Sequence, residues 1–460
     1  MPDDASRESQ PTLDTSNTLE LTCERMSYGS DAVAHDADGR CIFVTGGLPG
    51  ERVSATIDRT AKSWAHATAL EVLEPSPNRV EPACPYASAC GGCPWAALAY
   101  PAQVSAKRDA VVDSLERIGH LGHDRAEALV APCESPSEPW GYRNKIELGV
   151  TRVNGRVSVG IHRAQDDALV RVKTCKLLDR SHEGAVRSVS GAVAFLAGRQ
   201  NLSLERVGIR ASSRTGELEV ALWDRPGSFP RAQVAKVIND ALKPSSIVRV
   251  MQKGPSEARR IAGVECLSGR GSWGERIGEE TMRVSAPSFF QVNTQGAERL
   301  VELVLEGLAP KPNDEAMDLY CGAGTFTLPL ARRVSFVSAV ESYGPAVRDL
   351  RRNIETAQLD NIDAIGGDAA REFPDTEADV IVVDPPRAGL AKEVVARLSE
   401  QPARRIAYVS CDPATLARDI ARFEEAGTFH ATRVTPVDLF PQTFHVESVC
   451  ILERSEAAIR

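Results

Sequence analysis

Short alternating runs of hydrophobic and polar residues fill the first part of the chain, and longer apolar runs follow in the last part. From about Leu19 to Leu73 the alternation is interrupted by glycines at turn positions and shows no helical period. This pattern predicts a small β-barrel over residues 18–76. The proline-rich segment EPSPNRVEPACP then predicts a linker.

The middle part of the chain predicts one helix followed by antiparallel strands. Between Ala102 and Ile118 apolar residues recur with a helical period, at Val104, Val111, Val112, Leu115 and Ile118. Beyond this helix, alternating runs such as RNKIELGVTR, RVSVGIHR, VGIRASS and ELEVALW are typical of strands. We therefore predict a mainly β middle domain over residues 77–285.

Strands and helices alternate in the last part, residues 286–460. The predicted strands are AMDLY, VSFVSAVE, NIDAIG, ADVIVVDPP, RIAYVSC, VTPVDLF and ESVCILER. This alternation predicts a parallel sheet covered by helices on both faces. Because the connection between the last two strands is too short for a parallel crossover, the final strand should run antiparallel.

Composition agrees with a globular protein of several domains. The chain has 460 residues, of which 42% are hydrophobic and 25% are charged. No apolar stretch is long enough to span a membrane, and residues 1–17 lack the features of a signal peptide and predict a disordered tail. We therefore expect a cytoplasmic protein. The net charge of −9 says little about RNA, since a local basic groove can exist on an acidic protein.

A glycine turn after the first strand of the last domain indicates a nucleotide site. Gly322 and Gly324 allow the backbone to turn tightly and approach a ligand closely. Glu341 ends the next strand, where a carboxylate can accept hydrogen bonds from ribose hydroxyls. A dinucleotide site would need a third glycine where this chain has Thr327. The pattern therefore favours S-adenosylmethionine over NAD.

Reactive side chains follow strands at the same edge of this predicted sheet. Asp384 precedes two prolines that stiffen its loop, Cys411 ends the fifth strand, and Glu447 begins the last one. A thiolate is a strong nucleophile. Its addition to carbon 6 of uracil would make carbon 5 reactive towards a methyl donor, and a base must then remove the carbon-5 proton. Either His445 or Glu447 could be that base, and a buried apolar cysteine is the competing interpretation of Cys411.

A second group of cysteines predicts a metal site. Cys84, Cys90 and Cys93 form a C-x5-C-x2-C pattern around a Gly-Gly turn. The chain has eleven cysteines and no export signal, which favours metal binding or catalysis over disulfides. Thiolates suit both zinc and iron–sulfur centres. The fourth ligand could be Cys133 or Cys175.

Together these motifs resemble the RNA uridine-5-methyltransferases, in the branch with a TRAM domain and an iron–sulfur cluster. The resemblance runs from about Leu19 to Arg454 and is carried by SFFQVN, DLYCGAGTF, VDPPRAGL, YVSCDPATLARD and FPQTFHVE. It implies an α/β Rossmann-like class I methyltransferase domain, with a seven-stranded sheet whose last strand is antiparallel. It also implies that the first domain is an OB-like barrel that binds RNA.

The resemblance assigns roles to individual residues. It makes Cys411 the nucleophile and Glu447 the base. It places contacts to the methyl donor at Gln291, Tyr320, Thr325, Glu341, Asp368 and Asp384. It implies a 4Fe-4S cluster on Cys84, Cys90, Cys93 and Cys175. Two positions depart from the commonest pattern, since Asp412 and Thr325 each replace a frequent Asn, and the charge of Asp412 should oppose thiolate formation at Cys411.

The resemblance also concerns the substrate. It implies RNA, with 23S ribosomal RNA preferred to tRNA. Because the target base must leave its stack to reach a thiol in a crevice, we expect it to be flipped out of a loop or bulge. We also expect a monomer. Phosphate and stacking contacts are expected from the first domain, at Arg52, Arg59, Lys62, Trp64 and His66. A solvated strand face would carry the same residues. The alternatives are an RNA cytosine-5 methyltransferase, which usually has a second cysteine where this chain has Asp384, and a non-catalytic iron–sulfur RNA-binding protein.

Overall fold

The structure is a computed structural model that describes residues 18–164, 166–199, 202–255 and 259–455. The predicted disordered tail, residues 1–17, lies outside the described residues. The chain folds into two compact units. The first includes the residues up to Glu81 together with Ala97–Ala99, and the second includes Pro82–Ala96 and the chain from Tyr100 onward. Within the described ranges no helix is both long and apolar enough to cross a membrane.

The first unit is built from one six-stranded sheet. Its strands are β1 (Thr18–Thr22), β2 (Arg25–Met26), β3 (Ala32–His35), β4 (Cys41–Thr45), β5 (Arg52–Thr60) and β6 (Trp64–Glu74). Their order in the sheet is β1-β5-β6-β4-β3-β2. Buried Val53 and Ala55 alternate with more exposed residues along β5, as expected for a strand with one face in the core.

The middle part of the second unit contains most of its β structure. Its elements are α1 (Tyr100–Arg117), α2 (His123–Leu129), β7 (Lys145–Val153), β8 (Arg156–His162), β9 (Leu169–Val170), α3 (Ala185–Arg199), β10 (Arg206–Ala211), β11 (Leu218–Asp224), α4 (Arg231–Leu242), β12 (Ser246–Lys253), β13 (Arg260–Gly269), β14 (Trp273–Ile277) and β15 (Glu280–Val284). Strands β7 to β13 form a sheet in the order β13-β12-β11-β10-β7-β8-β9. The predicted antiparallel strands are confirmed for β7, β8, β10 and β11. The β11–β12 pair is parallel, because α4 provides the crossover that such a pair needs.

The last part of the second unit is a doubly covered sheet. Its elements are α5 (Thr294–Leu308), β16 (Glu315–Leu319), α6 (Thr327–Ala331), β17 (Phe336–Glu341), α7 (Gly344–Ala357), β18 (Ile362–Gly366), β19 (Val380–Val383), α8 (Lys392–Glu400), β20 (Arg405–Ser410), α9 (Pro413–Ala426), β21 (Phe429–Val437) and β22 (Glu447–Arg454). The strand order is β18-β17-β16-β19-β20-β22-β21. All seven predicted strands are present, and β22 runs antiparallel to both neighbours, as predicted.

The strand order fixes where a ligand can bind. The chain adds β17 and β18 on one side of β16 and then crosses to add β19 on the other side. Such a reversal leaves a crevice at the carboxyl ends of the strands, which is where open α/β sheets bind their ligands. Strand β19 reads VIVV and is buried throughout, as expected for a strand covered on both faces.

Helix α1 was predicted correctly, but its buried face was predicted only in part. Val111, Val112 and Leu115 are buried as expected. Ile118, the last residue of the predicted stretch, lies one residue beyond the end of the helix and is 41% exposed. Two polar residues, Gln103 and Lys107, are fully buried on this helix instead. Their partners lie in the last part of the chain.

Candidate active site

The predicted nucleotide turn lies between β16 and α6. Three of its residues have positive φ angles: Tyr320 (66°), Gly322 (58°) and Gly324 (101°). A Cβ atom at Gly324 would come within 2.8 Å of the Leu350 side chain, so only glycine fits there without rearrangement. The turn therefore exposes backbone at the carboxyl edge of β16, as the sequence predicted.

Glu341, at the end of β17, contacts this turn directly. Its carboxylate accepts hydrogen bonds from the Gly322 N–H (2.9 Å) and from the Tyr343 N–H (2.5 Å). Asp368 follows β18 and accepts a hydrogen bond from the Ala370 N–H (2.9 Å). Both carboxylates are thus fixed by local backbone, at the ends of two neighbouring strands.

Two further residues that were predicted to contact the methyl donor, Gln291 and Thr325, lie in loops. Gln291 is buried in the loop before α5, and the Asn144 side chain donates a hydrogen bond to its backbone oxygen (2.9 Å). The Gln291 side-chain oxygen is buried and has no hydrogen-bond partner among the described residues. Thr325 is half-buried in the glycine turn. A buried amide oxygen without a partner is costly unless a ligand or water satisfies it.

Two further carboxyl groups lie at this edge. Asp318 is fully buried and accepts a hydrogen bond from the Thr327 hydroxyl (2.6 Å), while its second oxygen has no partner in the described part of the chain. Burial, with the charge of Glu341, raises the pKa of Asp318 to about 7. Burial, followed by repulsion from Asp318 and Glu341, raises the pKa of Asp384 to about 8. A bound cation would relieve this repulsion and restore the ionised forms.

Cys411 and Glu447 lie side by side at the same edge. Ser410 pairs with Ser448 across the antiparallel β20–β22 ladder, so positions 411 and 447 are neighbours where the two strands meet the crevice. Burial, followed by the charges of Glu447 and Asp384, raises the pKa of the Cys411 thiol to about 12. Burial and the charge of Asp384 also raise the pKa of Glu447 well above its ordinary value. These shifts favour the protonated thiol of Cys411 and the neutral carboxyl of Glu447.

Asp412 has a structural role besides its charge. It is the N-cap of α9, and its side chain accepts a hydrogen bond from the Thr415 N–H (2.9 Å). Pro413 occupies the first turn, where its missing N–H costs nothing. The charge of Asp412 does raise the pKa of Cys411, as expected, but it is a smaller cause than burial, Glu447 and Asp384.

His445 and Arg387 complete the surroundings of the thiol. The His445 ring packs against Phe440 and Phe444, with centroid distances of 5.8 and 4.2 Å, inside the loop before β22. Burial and the positive charge of Arg387 lower the pKa of His445 to about 4. The Arg387 charge also lowers the pKa of Cys411 and of Glu447. The charge of Glu447 is among the causes that raise the pKa of the Cys411 thiol, whereas His445 is not.

The four cysteines implied by the resemblance line one small cavity. Its volume is about 100 Å³, and Cys84, Cys90, Cys93 and Cys175 all contribute to its wall, whereas Cys133 is not among the lining residues. Arg143 also lines it. No group of three or more His, Cys, Asp or Glu side chains within the described residues is placed to hold a metal ion. The donor set nevertheless fits an iron–sulfur cluster, which four thiolates hold through separate iron atoms.

The first unit carries the aromatic surface expected for RNA contacts. The ring centroids of Trp64 and His66 are 5.1 Å apart, and the His66 ring stacks on the Phe43 ring with a centroid distance of 5.1 Å. The Arg59 guanidinium carbon lies 5.3 Å from the centroid of the Trp64 ring. Lys62 is exposed. Arg52 is ion-paired with Glu20 and Glu74, so its charge is neutralised. Of the predicted basic contacts, Arg59 and Lys62 are the better placed.

Asp318 and Arg387 were not among the predicted site residues. Each lies inside a motif that had been identified, Asp318 in DLYCGAGTF and Arg387 in VDPPRAGL. An isolated acid or arginine carries no signal of its own in a sequence. Their importance follows from burial and from the charges they act on, which only the fold reveals.

The family is identified by comparison with known proteins. Residues 277–377 and 370–455 match the family described as tRNA (uracil-5-)-methyltransferase. An uncharacterized RNA methyltransferase of Thermosynechococcus vestitus is 32% identical over 447 residues, covering 95% of this chain and 98% of that protein. Another, from Streptomyces coelicolor, is 34% identical over 97% of this chain and 94% of its own length.

A solved structure supports the same fold. The tRNA (uracil-54, C5)-methyltransferase of Pyrococcus abyssi, in complex with S-adenosyl-L-homocysteine, superposes with a TM-score of 0.73 at 24% identity, covering 94% of this chain and all of that one. The chain belongs to the RNA uracil-5-methyltransferase family and is an S-adenosylmethionine-dependent RNA methyltransferase. The resemblance to the RNA uridine-5-methyltransferases is thereby confirmed at the level of the family.

Proposed function

We propose that this protein methylates carbon 5 of a uridine in RNA through a transient covalent bond between Cys411 and the uracil ring. The observation that carries this proposal is the placement of Cys411 next to Glu447, beside Asp384, at the sheet edge that also bears the glycine turn. A nucleophile and a base on neighbouring strands match the two requirements of the reaction.

The methyl donor is held by the residues around the glycine turn. Glu341 faces the turn where ribose hydroxyls would bind, and the unpartnered oxygens of Gln291 and Asp318 offer buried acceptors to a ligand. Tyr320, Thr325, Asp368 and Asp384 complete the proposed set. S-adenosylmethionine supplies an electrophilic methyl group on a positively charged sulfur, which suits an edge where carboxylates repel one another.

Each chemical step has a residue to carry it out. The Cys411 thiol releases its proton to solvent, and the thiolate adds to carbon 6 of uracil. Carbon 5 becomes nucleophilic and takes the methyl group from the sulfonium, which leaves S-adenosylhomocysteine. Glu447, as the ionised carboxylate, then removes the carbon-5 proton, the carbon 5–carbon 6 double bond re-forms, and the thiolate leaves. The positive charge of Arg387 faces both groups and favours their ionised forms. Asp384, whose ionised form the positively charged sulfur of the methyl donor favours, can accept a hydrogen bond from the N3–H of the uracil ring.

We further propose that Cys84, Cys90, Cys93 and Cys175 hold a 4Fe-4S cluster. Their shared cavity supports this assignment, and the absence of Cys133 from the lining favours Cys175 as the fourth ligand. Bound there, the cluster would cross-link the segment of Cys84–Cys93 to the loop of Cys175. Its proposed purpose is structural.

The proposed substrate is 23S ribosomal RNA. This choice is made by analogy with the iron–sulfur branch of the family, and the cavity lined by four cysteines supports the analogy. The first unit, proposed to be an OB-like TRAM domain, offers Arg59, Lys62, Trp64 and His66 as an RNA surface. A tRNA is the second candidate, since the superposed enzyme of Pyrococcus abyssi is a tRNA methyltransferase.

Nucleoside analysis tests the proposed reaction and substrate together. Ribosomal and transfer RNA from a deletion strain should lack one 5-methyluridine, which the purified protein with S-adenosylmethionine should restore. Loss from 23S ribosomal RNA supports the first substrate, and loss from tRNA transfers the assignment to the second. Methylation of cytidine instead of uridine would overturn the proposed reaction.

A further inference from the structure

The loop between β21 and β22, residues 438–446, is held in an unusual way. We call it the base loop, because it leads directly into Glu447. Asp438, Leu439, Gln442, Thr443 and Val446 are all buried. Loops generally lie at the surface because their backbone groups need partners. The buried base loop must therefore satisfy its backbone groups within the protein.

Four consecutive carbonyl groups of the base loop accept hydrogen bonds from four different segments. The donors are Asn293 Nδ2 to Leu439 (3.2 Å), Lys107 Nζ to Phe440 (3.1 Å), Tyr142 Oη to Pro441 (3.0 Å) and the Trp95 N–H to Gln442 (3.1 Å). Three of these donors come from residues outside the doubly covered sheet and its helices. The path of the base loop is thus set by the rest of the second unit.

Gln442 is the most constrained residue of the base loop. Its φ angle is +72°, a conformation that residues other than glycine rarely adopt. Its N–H donates to Gln103 Oε1 (2.9 Å), and Gln103 Nε2 donates to Gln442 Oε1 (3.1 Å). Strained backbone persists only where its surroundings determine it, and here one buried glutamine binds both the backbone and the side chain.

A buried ion pair holds the start of the base loop. Lys107 and Asp438 are both fully buried and are joined by a salt bridge. Asp438 also accepts a hydrogen bond from the Phe440 N–H (3.1 Å). Buried ion pairs contribute little net stability, because desolvation offsets their attraction, and their best-supported benefit is to fix one geometry.

Two of the residues that donate hydrogen bonds to the base loop are close in sequence to residues that line the cysteine cavity. Trp95 lies two residues after Cys93, and Tyr142 precedes Arg143, which lines the cavity and donates from Nε to the Tyr142 hydroxyl (3.3 Å). One segment that carries proposed cluster ligands, through Trp95, and one segment that lines the cavity, through Tyr142, therefore each donate a hydrogen bond to the base loop. Glu447 itself has one buried oxygen, Oε2, without a partner among the described residues, so its position depends on the backbone that leads to it.

We propose that Gln103, Lys107 and Tyr142 are positioning residues that hold the base loop so that Glu447 reaches the carbon-5 proton. This inference rests on the proposed function. The affected step breaks the carbon 5–hydrogen bond, with the proton going to Glu447. The electron pair forms the carbon 5–carbon 6 double bond, and the carbon 6–sulfur bond breaks to release the Cys411 thiolate. Loosening the base loop should slow this step and leave methyl transfer itself nearly unchanged.

The test measures how much methylated RNA remains covalently bound to the protein through Cys411. Protein is incubated with tritiated S-adenosylmethionine and total RNA from a strain that lacks this gene, then denatured and digested with nuclease. Tritium that stays on the protein reports the adduct, and total tritium reports methyl transfer. Tyr142→Phe, and the charge-free double variant Lys107→Met with Asp438→Asn, should retain at least about tenfold more adduct than wild type, because a displaced general base costs about 10²-fold or more.

Two controls separate the possible outcomes. Glu447→Ala should accumulate adduct; if it does not, the proposed role of Glu447 fails, and this inference with it. If Glu447→Ala accumulates adduct while Tyr142→Phe and the double variant release methylated RNA at the wild-type rate, the inference alone is overturned. Tyr408→Phe removes a buried hydroxyl that bonds to Asp419 (2.8 Å) away from the base loop. If Tyr408→Phe retained as much adduct as the base-loop variants, the inference would also be overturned, because general loosening of the protein would then explain the accumulation of adduct.

Discussion

Cysteine occupies two contrasting regions of the second unit. At the sheet edge Cys411 lies near carboxyl groups, and burial, followed by the charges of Glu447 and Asp384, raises the pKa of its thiol. In the small cavity four cysteines converge beside Arg143. In the proposed function, the thiol next to a potential base forms and breaks a bond, and the four cysteines that line one cavity hold a cluster. The side chains that surround a cysteine therefore indicate its chemistry better than the residue type does.

The largest effect should come from removing the single thiol. Cys411→Ala should lower RNA methylation by at least roughly 10⁴-fold, because the covalent route is lost. Incorporation of tritiated methyl groups into RNA measures this. Cys266→Ala, which removes an exposed cysteine on β13, is the matched control and should keep full activity. A Cys411→Ala protein with substantial activity would show that the sheet edge works without its thiol.

The cavity cysteines should respond differently to substitution. Cys175→Ser should reduce bound iron from about four atoms per chain to less than half, because one thiolate ligand is lost. Cys133→Ser, which changes a cysteine outside the cavity lining, should keep its iron. Iron and sulfide analysis of protein purified without oxygen measures both. The opposite pattern would move the fourth ligand to Cys133.

The carboxyl groups at the sheet edge should make methyl-donor binding depend on pH. The pKa of Asp384 is raised to about 8, and a positively charged sulfur favours its ionised form. Affinity for S-adenosylmethionine should therefore rise with pH, by up to about tenfold per unit below pH 8. Titration calorimetry from pH 6 to 9 measures this.

S-adenosylhomocysteine and one substitution provide the controls for this pH effect. S-adenosylhomocysteine lacks the positive sulfur and should show a weaker dependence on pH. Asp384→Asn, which cannot ionise, should flatten the curve for S-adenosylmethionine. Affinity that falls as pH rises would show that the carboxyl groups do not face the methyl donor.

The smallest effect should come from the charge beside the thiol. Asp412→Asn keeps a good N-cap for α9 and removes one negative charge, so the pKa of Cys411 should fall slightly. Methylation near pH 7 should rise about two- to threefold, since a lower pKa increases the thiolate fraction. Asp412→Ala also loses the cap and should lower the free energy of unfolding by about 1 kcal/mol. A slower Asp412→Asn enzyme would contradict this electrostatic account.

The fold was predictable where a local pattern reports the environment. The seven strands of the last sheet are apolar runs bounded by turn residues, and the antiparallel β22 follows from its short connection. Gln103 and Lys107 could not be predicted to be buried, because polar residues on a helix normally indicate its solvated face. Their partners, Gln442 and Asp438, lie more than 300 residues further along the chain.

The residues of the site could be predicted from the sequence, but their pKa values could not. Motifs indicated Cys411, Glu447 and Asp384, and the fold brings them to one edge. The strongly raised pKa values follow from burial and, after it, from mutual repulsion, and both depend on the packing of residues that are distant in the sequence. Spacing in the sequence did not decide between His445 and Glu447, and the choice of Glu447 came from the resemblance to the family; in the structure the His445 ring packs against Phe444.

Trapping the covalent intermediate tests the central claim most directly. An RNA containing 5-fluorouridine at the target position offers no proton for Glu447 to remove, so the methylated adduct cannot resolve. Mass spectrometry of the digested complex should find a methylated fluorouridine attached to the peptide at Cys411. A stable complex attached at another residue, or methylated product released with no bond to the protein, would contradict the account.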